Sequence, residues 1–369
     1  LENLEILEEY DNFKFKKEDI LETNLINIEK PEVVVHLAAS AGVRNSLENP
    51  TNYIRNNIEG HTNLLNQSVQ NDVKLFIYAS SSSVYGNNEK VPFSEEDKIE
   101  NLNSPYALTK FTCENFSKLY NKLYKIPVIG LRFFTVYGPR GRPDMAPYKF
   151  LSKIMNNEKI DKYGDGTSYR DYTYIDDIVN GIIGAIKNKN SRKCEIYNLG
   201  NTKTYSLNEF IDICENVTEK KVLINKMNDQ KGDVSKTYSD IKKAKEDLDY
   251  NPVINLTEGL TNMFKWLKEY KKIVFDIDTD KEIKKIINNR DKVKNYNEYK
   301  LKNKVIFDEF QLKNFFETDN DNLIIMYSKS MCFDYINISN HDNEYIIDFC
   351  DNYYELMNKG LNNSIELKF

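Results

Sequence analysis

Lys74-Leu75-Phe76-Ile77-Tyr78-Ala79 runs directly into Ser80-Ser81-Ser82-Ser83-Val84-Tyr85-Gly86. The first six residues are apolar and rich in aromatics, the pattern of a strand buried on both faces of a parallel sheet. Four hydroxyls then follow at the carboxyl end of that strand, where an open α/β sheet places its ligand contacts. A polar surface loop reads the same way, so the serine run alone leaves both readings open. Working outward, Pro31-Glu32-Val33-Val34-Val35-His36-Leu37, Pro127-Val128-Ile129-Gly130-Leu131-Arg132-Phe133-Phe134 and Glu195-Ile196-Tyr197-Asn198-Leu199-Gly200 are further buried strands. Helical spacing fills the intervals at 52–70, 102–124 and 175–186, the first through Tyr53, Ile54, Ile58, Leu64, Leu65 and Val69. Strands alternating with helices predict an α/β chain built on a doubly wound parallel sheet. Helices at 207–214, 241–248 and 256–267 predict a smaller α/β region beside it.

The run Ser104-Pro105-Tyr106-Ala107-Leu108-Thr109-Lys110 places a phenol and an ammonium four residues apart. On a helix these share a face. A lysine there favours the phenolate, lowers the tyrosine pKa and makes a base for a sugar hydroxyl. The same spacing is common on solvated helices, and the pair alone leaves that reading open.

Composition narrows the classes. Of 369 residues, 40% are hydrophobic, enough for a core. No apolar run approaches the length of a membrane span, and no basic segment leads into a short apolar one as in a signal peptide. The five cysteines (Cys113, Cys194, Cys214, Cys332, Cys350) lack Cys-x-x-Cys spacing, so reduced thiols and a cytoplasmic location are expected. His36, His61 and His341 are too dispersed for a metal cluster, and no metal is expected. A net charge of −6 carries no nucleic-acid footprint. Glycine is scarce, 14 in 369, against about 7% on average.

Several segments in order carry a resemblance. They are His36-Leu37-Ala38-Ala39, Ala41-Gly42-Val43-Arg44, Tyr78 to Gly86, Tyr106 with Lys110, Leu131-Arg132-Phe133-Phe134-Thr135-Val136-Tyr137-Gly138-Pro139, Arg142-Pro143-Asp144-Met145-Ala146 and Arg170-Asp171-Tyr172-Thr173-Tyr174-Ile175-Asp176-Asp177. Together they resemble the extended short-chain dehydrogenase/reductases of the NAD-dependent epimerase/dehydratase type. Within that family the chain is most similar to UDP-glucuronate 4-epimerases of capsular polysaccharide clusters. The resemblance covers residues 1–271, with substrate-binding parts at 136–175 and 201–271, and leaves 272–369 as an extension without a family match.

The resemblance implies Ser81, Tyr106 and Lys110 as catalytic residues. It implies NAD contacts from Asp19, Ile20, Leu37, Ala38, Ala39, Asn56, Tyr106, Lys110 and Phe134. For the UDP-sugar it implies Ser83, Arg44, Thr135, Arg142, Tyr163, Arg170, Gln230 and Asp233, with Arg142 and Thr135 at a C6 carboxylate and Tyr163 against the uracil. The reaction implied is C4 epimerisation through a 4-keto sugar. UDP-glucose 4-epimerisation and UDP-glucuronate decarboxylation are alternatives, as is an inactive binding or assembly module. A homodimer through helices 52–70 and 102–124 is also implied.

One element of the family pattern is missing from these residues. The Gly-rich turn that cradles the dinucleotide pyrophosphate on a helix N-terminus precedes the third strand in this fold, and here the first glycine is Gly42. The opening Leu1-Glu2-Asn3-Leu4-Glu5-Ile6-Leu7 is helix-like, and Phe13-Lys14-Phe15 matches the third strand. The sheet is therefore expected to lack its first two strands, leaving Phe13–Phe15 unpaired and one edge of the next strand bare. On this reading the 369 residues bind NAD weakly on their own, and a separate N-terminal piece is a candidate partner. After residue 271, strands at Leu323-Ile324-Ile325-Met326 and Tyr345-Ile346-Ile347 predict a C-terminal α/β extension. The charge and asparagine content there also suits a disordered segment.

Overall fold

The computed structural model describes residues 4, 6–7, 9–188, 193–228 and 234–275, and the strands at 323–329, 332–341 and 344–350. A four-stranded parallel sheet organises the first part. Its strands are β1 (Val33–His36), β2 (Leu75–Ser81), β3 (Val128–Phe133) and β7 (Cys194–Leu199), adjacent in that order. The register runs Val33 to Leu75, Phe76 to Val128 and Val128 to Cys194, so the carboxyl ends of all four strands lie together. β2 and β3 are buried almost throughout because each has a strand on both sides and helices above and below.

β1 pairs with β2 alone among the described residues. Val35 on this strand and Leu37 just after it are exposed. Phe13–Phe15 departs from expectation: it is not a strand. A lone extended run has no ladder to satisfy its N–H and C=O groups, and Phe15 is exposed. Of the opening helix, Leu4, Ile6 and Leu7 are helical, and the rest of Leu1–Leu7 falls outside the described residues.

Helices cover both faces. α1 (Leu25–Glu29) leads into β1, and α2 (Val43–Glu48) follows it. The helix expected over 52–70 is continuous but not uniform: α3 (Pro50–Tyr53), a π-helical stretch over Ile54–Glu59, then α4 (Gly60–Gln70). α5 (Pro105–Tyr124) packs against β2 and that π-helical stretch. Its start is written in the sequence: Ser104 caps it, accepting from Ala107 N at 3.1 Å, and Pro105 sits in the first turn. Such a cap contributes about 1 kcal/mol. α5 stops at Lys125, which takes a left-handed conformation before Pro127. α7 (Ile175–Lys187) covers the opposite face with Ile178 and Ala185, in one core with Leu75, Ile77, Ile129, Leu131 and Leu199.

A smaller region grows from the strand ends. It contains β4 (Thr135–Tyr137), β6 (Tyr169–Tyr174) and β8 (Thr204–Ser206) as one sheet, and β5 (Ile160–Tyr163) with β9 (Ile224–Met227) as another. α6 (Ala146–Met155), α8 (Leu207–Thr218) and α10 (Leu256–Phe275) close a core around Tyr172, Phe210, Leu260 and Met263. α9 (Lys242–Leu248) returns to the main sheet beside β7. Two buried carboxylates tie the loops. Asp171 accepts from Asn201 N, Ser239 N and Ser239 Oγ, and Asp177 from Val253 N and Ile254 N.

The chain divides into two units, Leu1–Lys268 and Glu269–Phe369. In the second, β10 (Leu323–Lys329), β11 (Cys332–His341) and β12 (Glu344–Cys350) form an antiparallel sheet with β11 central. No helix among the described residues is long and apolar enough to cross a membrane.

Candidate active site

The strand β2 delivers its serines at the sheet's carboxyl edge. Ser81 ends the strand and caps a 3₁₀ turn over Ser82–Tyr85, accepting from Ser83 N at 3.2 Å. Gly86 terminates that turn at φ +55°, a conformation that favours glycine. The turn leaves the Ser81 hydroxyl facing α5, where it acts on the Tyr106 phenol and pulls its pKa down against burial.

Tyr106 and Lys110 lie on the face of α5 that meets β2. Lys110 is buried, and its Nζ donates to the Ala79 carbonyl at 2.8 Å. Burial pulls its pKa down to about 8. Tyr106 differs from the sequence expectation. Its pKa is raised, chiefly because its hydroxyl is desolvated, with Ser81 and Arg142 pulling the other way. The Lys110 ammonium lies 6.0 Å from the Tyr106 ring centroid and is engaged by Ala79. Desolvation therefore outweighs the expected lysine effect in this state.

The loop after β1 forms the other wall. Leu37 and Ala38 are exposed and Ala39 is half-buried. Asn56 donates to Ser40 Oγ at 2.8 Å. Asn57, which the sequence reading passed over, is nearly inaccessible and grips the Ser40 backbone on both sides, N to Oδ1 at 2.8 Å and Nδ2 to O at 3.0 Å. It also donates to Thr109 Oγ1 at 3.0 Å, beside Lys110. Both asparagines fall in the π-helical stretch, whose extra residue per turn turns two successive side chains toward one loop. Tyr53, also passed over, donates to Ala41 O at 2.9 Å and meets Tyr106 edge to face at 6.1 Å.

Arg142 reaches this wall from the loop after β4. A Cβ at Gly42 would lie 3.5 Å from its guanidinium and 3.6 Å from the Tyr53 hydroxyl. Arg142 binds Asp144 through both arms, Nε to Oδ1 at 3.0 Å and NH2 to Oδ2 at 2.5 Å. Thr135 is half-buried at the start of β4. Arg44 lies over the Tyr163 ring at 5.2 Å, so two candidate substrate residues meet each other. Arg170 is half-buried on β6 and donates to Tyr169 O. Ser83 lies half-buried in the 3₁₀ turn.

The remaining candidates stand elsewhere. Phe134 packs its side chain into a cluster with Val84, Tyr85 and Phe93. Asp19 accepts from Leu21 N, and Ile20 lies against α4, where its carbonyl accepts from Asn63. Gln230 and Asp233 lie outside the described residues. No group of acidic, histidine or cysteine side chains able to hold a metal occurs among the described residues.

The model of the NAD dependent epimerase/dehydratase family matches residues 7–200. The chain belongs to that family. Its members use NAD. UDP-glucuronate 4-epimerase of Thermodesulfobacterium geofontis is 41% identical over 276 residues, covering 73% of this chain and 84% of that one. Protein CapI of Staphylococcus aureus is 42% identical over 260 residues, covering 66% of this chain and 78% of that one. Among solved structures, UDP-glucuronic acid 4-epimerase of Bacillus cereus, in complex with UDP-glucuronic acid and NAD, superposes with a TM-score of 0.70 at 36% identity. It covers 73% of this chain and 86% of that chain.

The residues present fit the nicotinamide end of NAD. Lys110 has three N–H donors and spends one on Ala79, leaving others for a ribose. The segment after β1 carries only alanine side chains at 38 and 39, at the strand ends where such folds bind a dinucleotide. Lys110 and Asn56 would hold it there.

Proposed function

We propose that the site performs C4 epimerisation of a UDP-sugar, and of UDP-glucuronate in particular. The Ser81–Tyr106–Lys110 constellation supports the chemistry. Bound NAD supplies a hydride acceptor and donor at C4. Tyr106, ionised, takes the proton of the C4 hydroxyl as the C4–H bond breaks, and returns it when the 4-keto sugar has turned over. Ser81 shares the hydrogen bond and holds the C4 oxygen in line. Lys110, already desolvated, orients the ribose and offsets the charge on the phenolate.

The observation that carries the glucuronate reading is Arg142. Burial raises the pKa of both Tyr106 and Tyr53, and the Arg142 charge opposes that rise at each, so it stands near the reacting hydroxyl. It already grips a carboxylate, that of Asp144, in the two-armed manner a C6 carboxylate would use. A 4-keto uronate is a β-keto acid and loses carbon dioxide when its carboxyl–carbon bond aligns with the carbonyl π system. A guanidinium that exchanged Asp144 for the C6 carboxylate and held it with both arms would prevent that alignment. Tyr163 is the proposed uracil contact; Arg44 lies over its ring at 5.2 Å, so a stacked base would have to displace Arg44.

The full chain incubated with UDP-glucuronate and saturating NAD should form UDP-galacturonate, read by proton NMR of the anomeric signals. Pentose and carbon dioxide would instead make it a decarboxylase, and turnover of UDP-glucose alone would reject the glucuronate reading. Tyr106→Phe should lower turnover by roughly 10²–10⁴-fold, the range for losing a positioned acid–base group.

A further inference from the structure

Tyr106, Lys110 and Glu114 follow one another at four-residue intervals along α5 and share a face. The last three residues of β2 meet that face in turn. The Ala79 carbonyl accepts from Lys110 at 2.8 Å, the Ser80 hydroxyl donates to Glu114 Oε1 at 2.6 Å, and the Ser81 hydroxyl acts on the Tyr106 phenol, pulling its pKa down against burial. Two of these rungs end on residues of the proposed chemistry. The Ser80–Glu114 rung does not.

That rung is fixed from behind. Glu114 is fully buried, and Arg132 of β3 meets it with two parallel bonds, Nε to Oε1 at 2.9 Å and NH2 to Oε2 at 2.8 Å. The third guanidinium nitrogen donates to the Tyr85 hydroxyl at 2.8 Å, and Tyr85 donates to Asn198 Oδ1 of β7 at 2.8 Å. The guanidinium carbon also lies 4.8 Å from the Tyr85 ring centroid. One buried ion pair thus joins β2, the 3₁₀ turn, α5, β3 and β7 at the level of Ser81 and Tyr106. A buried ion pair is about neutral for stability compared with apolar residues of the same volume. Its specific contribution is geometry, because a two-armed pair forms at only one separation and orientation.

We propose that Glu114, held by Arg132 and gripping Ser80, is a positioning residue that sets the register between the end of β2 and α5, so that the Ser81 hydroxyl stays on Tyr106. Glu114 and Ser80 act through Ser81 and Tyr106. The inference rests on the reading of Tyr106 as the base. Displacements of about 1 Å at a reacting centre cost on the order of 10²-fold in rate, so a register error is expressed in turnover.

The test places 3-fluorotyrosine at position 106 of the full chain and follows its ionisation by ¹⁹F NMR. Ser80→Ala removes the rung without changing charge. The double variant Glu114→Gln, Arg132→Gln removes the ion pair and keeps the charge balanced. In both, the phenol should ionise at higher pH than in the parent, because the bond from Ser81 that favours the phenolate is weakened. With UDP-glucuronate, kcat should fall by about 10-fold or more while KM stays within about 2-fold. A lower melting temperature with unchanged ionisation at position 106 and unchanged kcat would overturn the proposal. If the double variant does not fold, Ser80→Ala alone decides. If the parent turns over no UDP-sugar, the proposed function fails, and the ¹⁹F titration still decides the clamp.

Discussion

Lys110 concentrates the cost of this site in one side chain. It is buried, and its pKa falls from an ordinary 10.5 to about 8 because burial disfavours the ammonium. Between those values the unfolded chain holds a proton that the folded chain has released, so stability rises as pH climbs from 8 to 10.5. Below 8 the full cost of the buried charge is present, on the order of 3 kcal/mol. Lys110→Met should therefore raise stability at pH 7 by about 1–3 kcal/mol, after the lost bond to Ala79 is counted. The gain should shrink across pH 8 to 10.5. Urea unfolding of both proteins at pH 7 and pH 10 measures this, and a gain that does not change with pH would refute it. The His36 and His61 rings lie tilted to one another with centroids 5.4 Å apart, and burial followed by neighbouring positive charge lowers both pKa values, His36 to about 4. They stay neutral beside Lys110 and add no further positive charge to it at neutral pH.

Elements make the site by where they end. β2 ends in a 3₁₀ turn that Gly86 must close, and a Cβ there would fall 1.8 Å from the Asn101 carbonyl oxygen. Gly86→Ala should lower the melting temperature sharply, with a loss of about 2–4 kcal/mol from left-handed strain and displaced backbone. Calorimetry that finds the variant as stable as the parent would show the turn to be tolerant. The parallel strands were legible because each is a short apolar run with polar punctuation, and α5 because Ser104, Pro105 and Lys125–Pro127 mark its ends. Phe13-Lys14-Phe15 imitates a strand by alternation, but pairing is a property of neighbours that alternation cannot supply. The short strands β5 (Ile160–Tyr163) and β9 (Ile224–Met227) show the converse: four-residue runs with polar centres, Asp161-Lys162 and Asn225-Lys226, become strands by pairing with each other. The π-helical stretch has no signature in side-chain spacing. Glu114, by contrast, stood in plain view four residues beyond Lys110, on the face already assigned to chemistry.

At the scale of the whole molecule, α5 has two faces and only one is used. Tyr106, Lys110 and Glu114 look inward, while Leu108, Leu119 and Leu123 are each about half exposed, at 51%, 46% and 57%. Those three positions recur at 11 and 4 residues, about three turns and one turn, so they form a stripe along the outer side of the helix. Ile54, in the π-helical stretch that packs against α5, is exposed too. Isolated exposed leucines are ordinary, but a stripe spanning most of a helix is the kind of surface that marks an interaction site. We propose that a second copy of the chain covers it, as the sequence reading of a homodimer through these helices implies. Burying a leucine contributes about 1.5–3 kcal/mol, and a two-fold axis counts each position twice. Light scattering behind size exclusion should find twice the chain mass. Leu119→Glu with Leu123→Glu should give the single-chain mass with an unchanged far-ultraviolet helix signal, because neither side chain contributes to the core. A parent protein that is monomeric at every concentration would leave the stripe without this partner, and a double variant that remains dimeric would place the interface on another surface, such as the bare edge of β1.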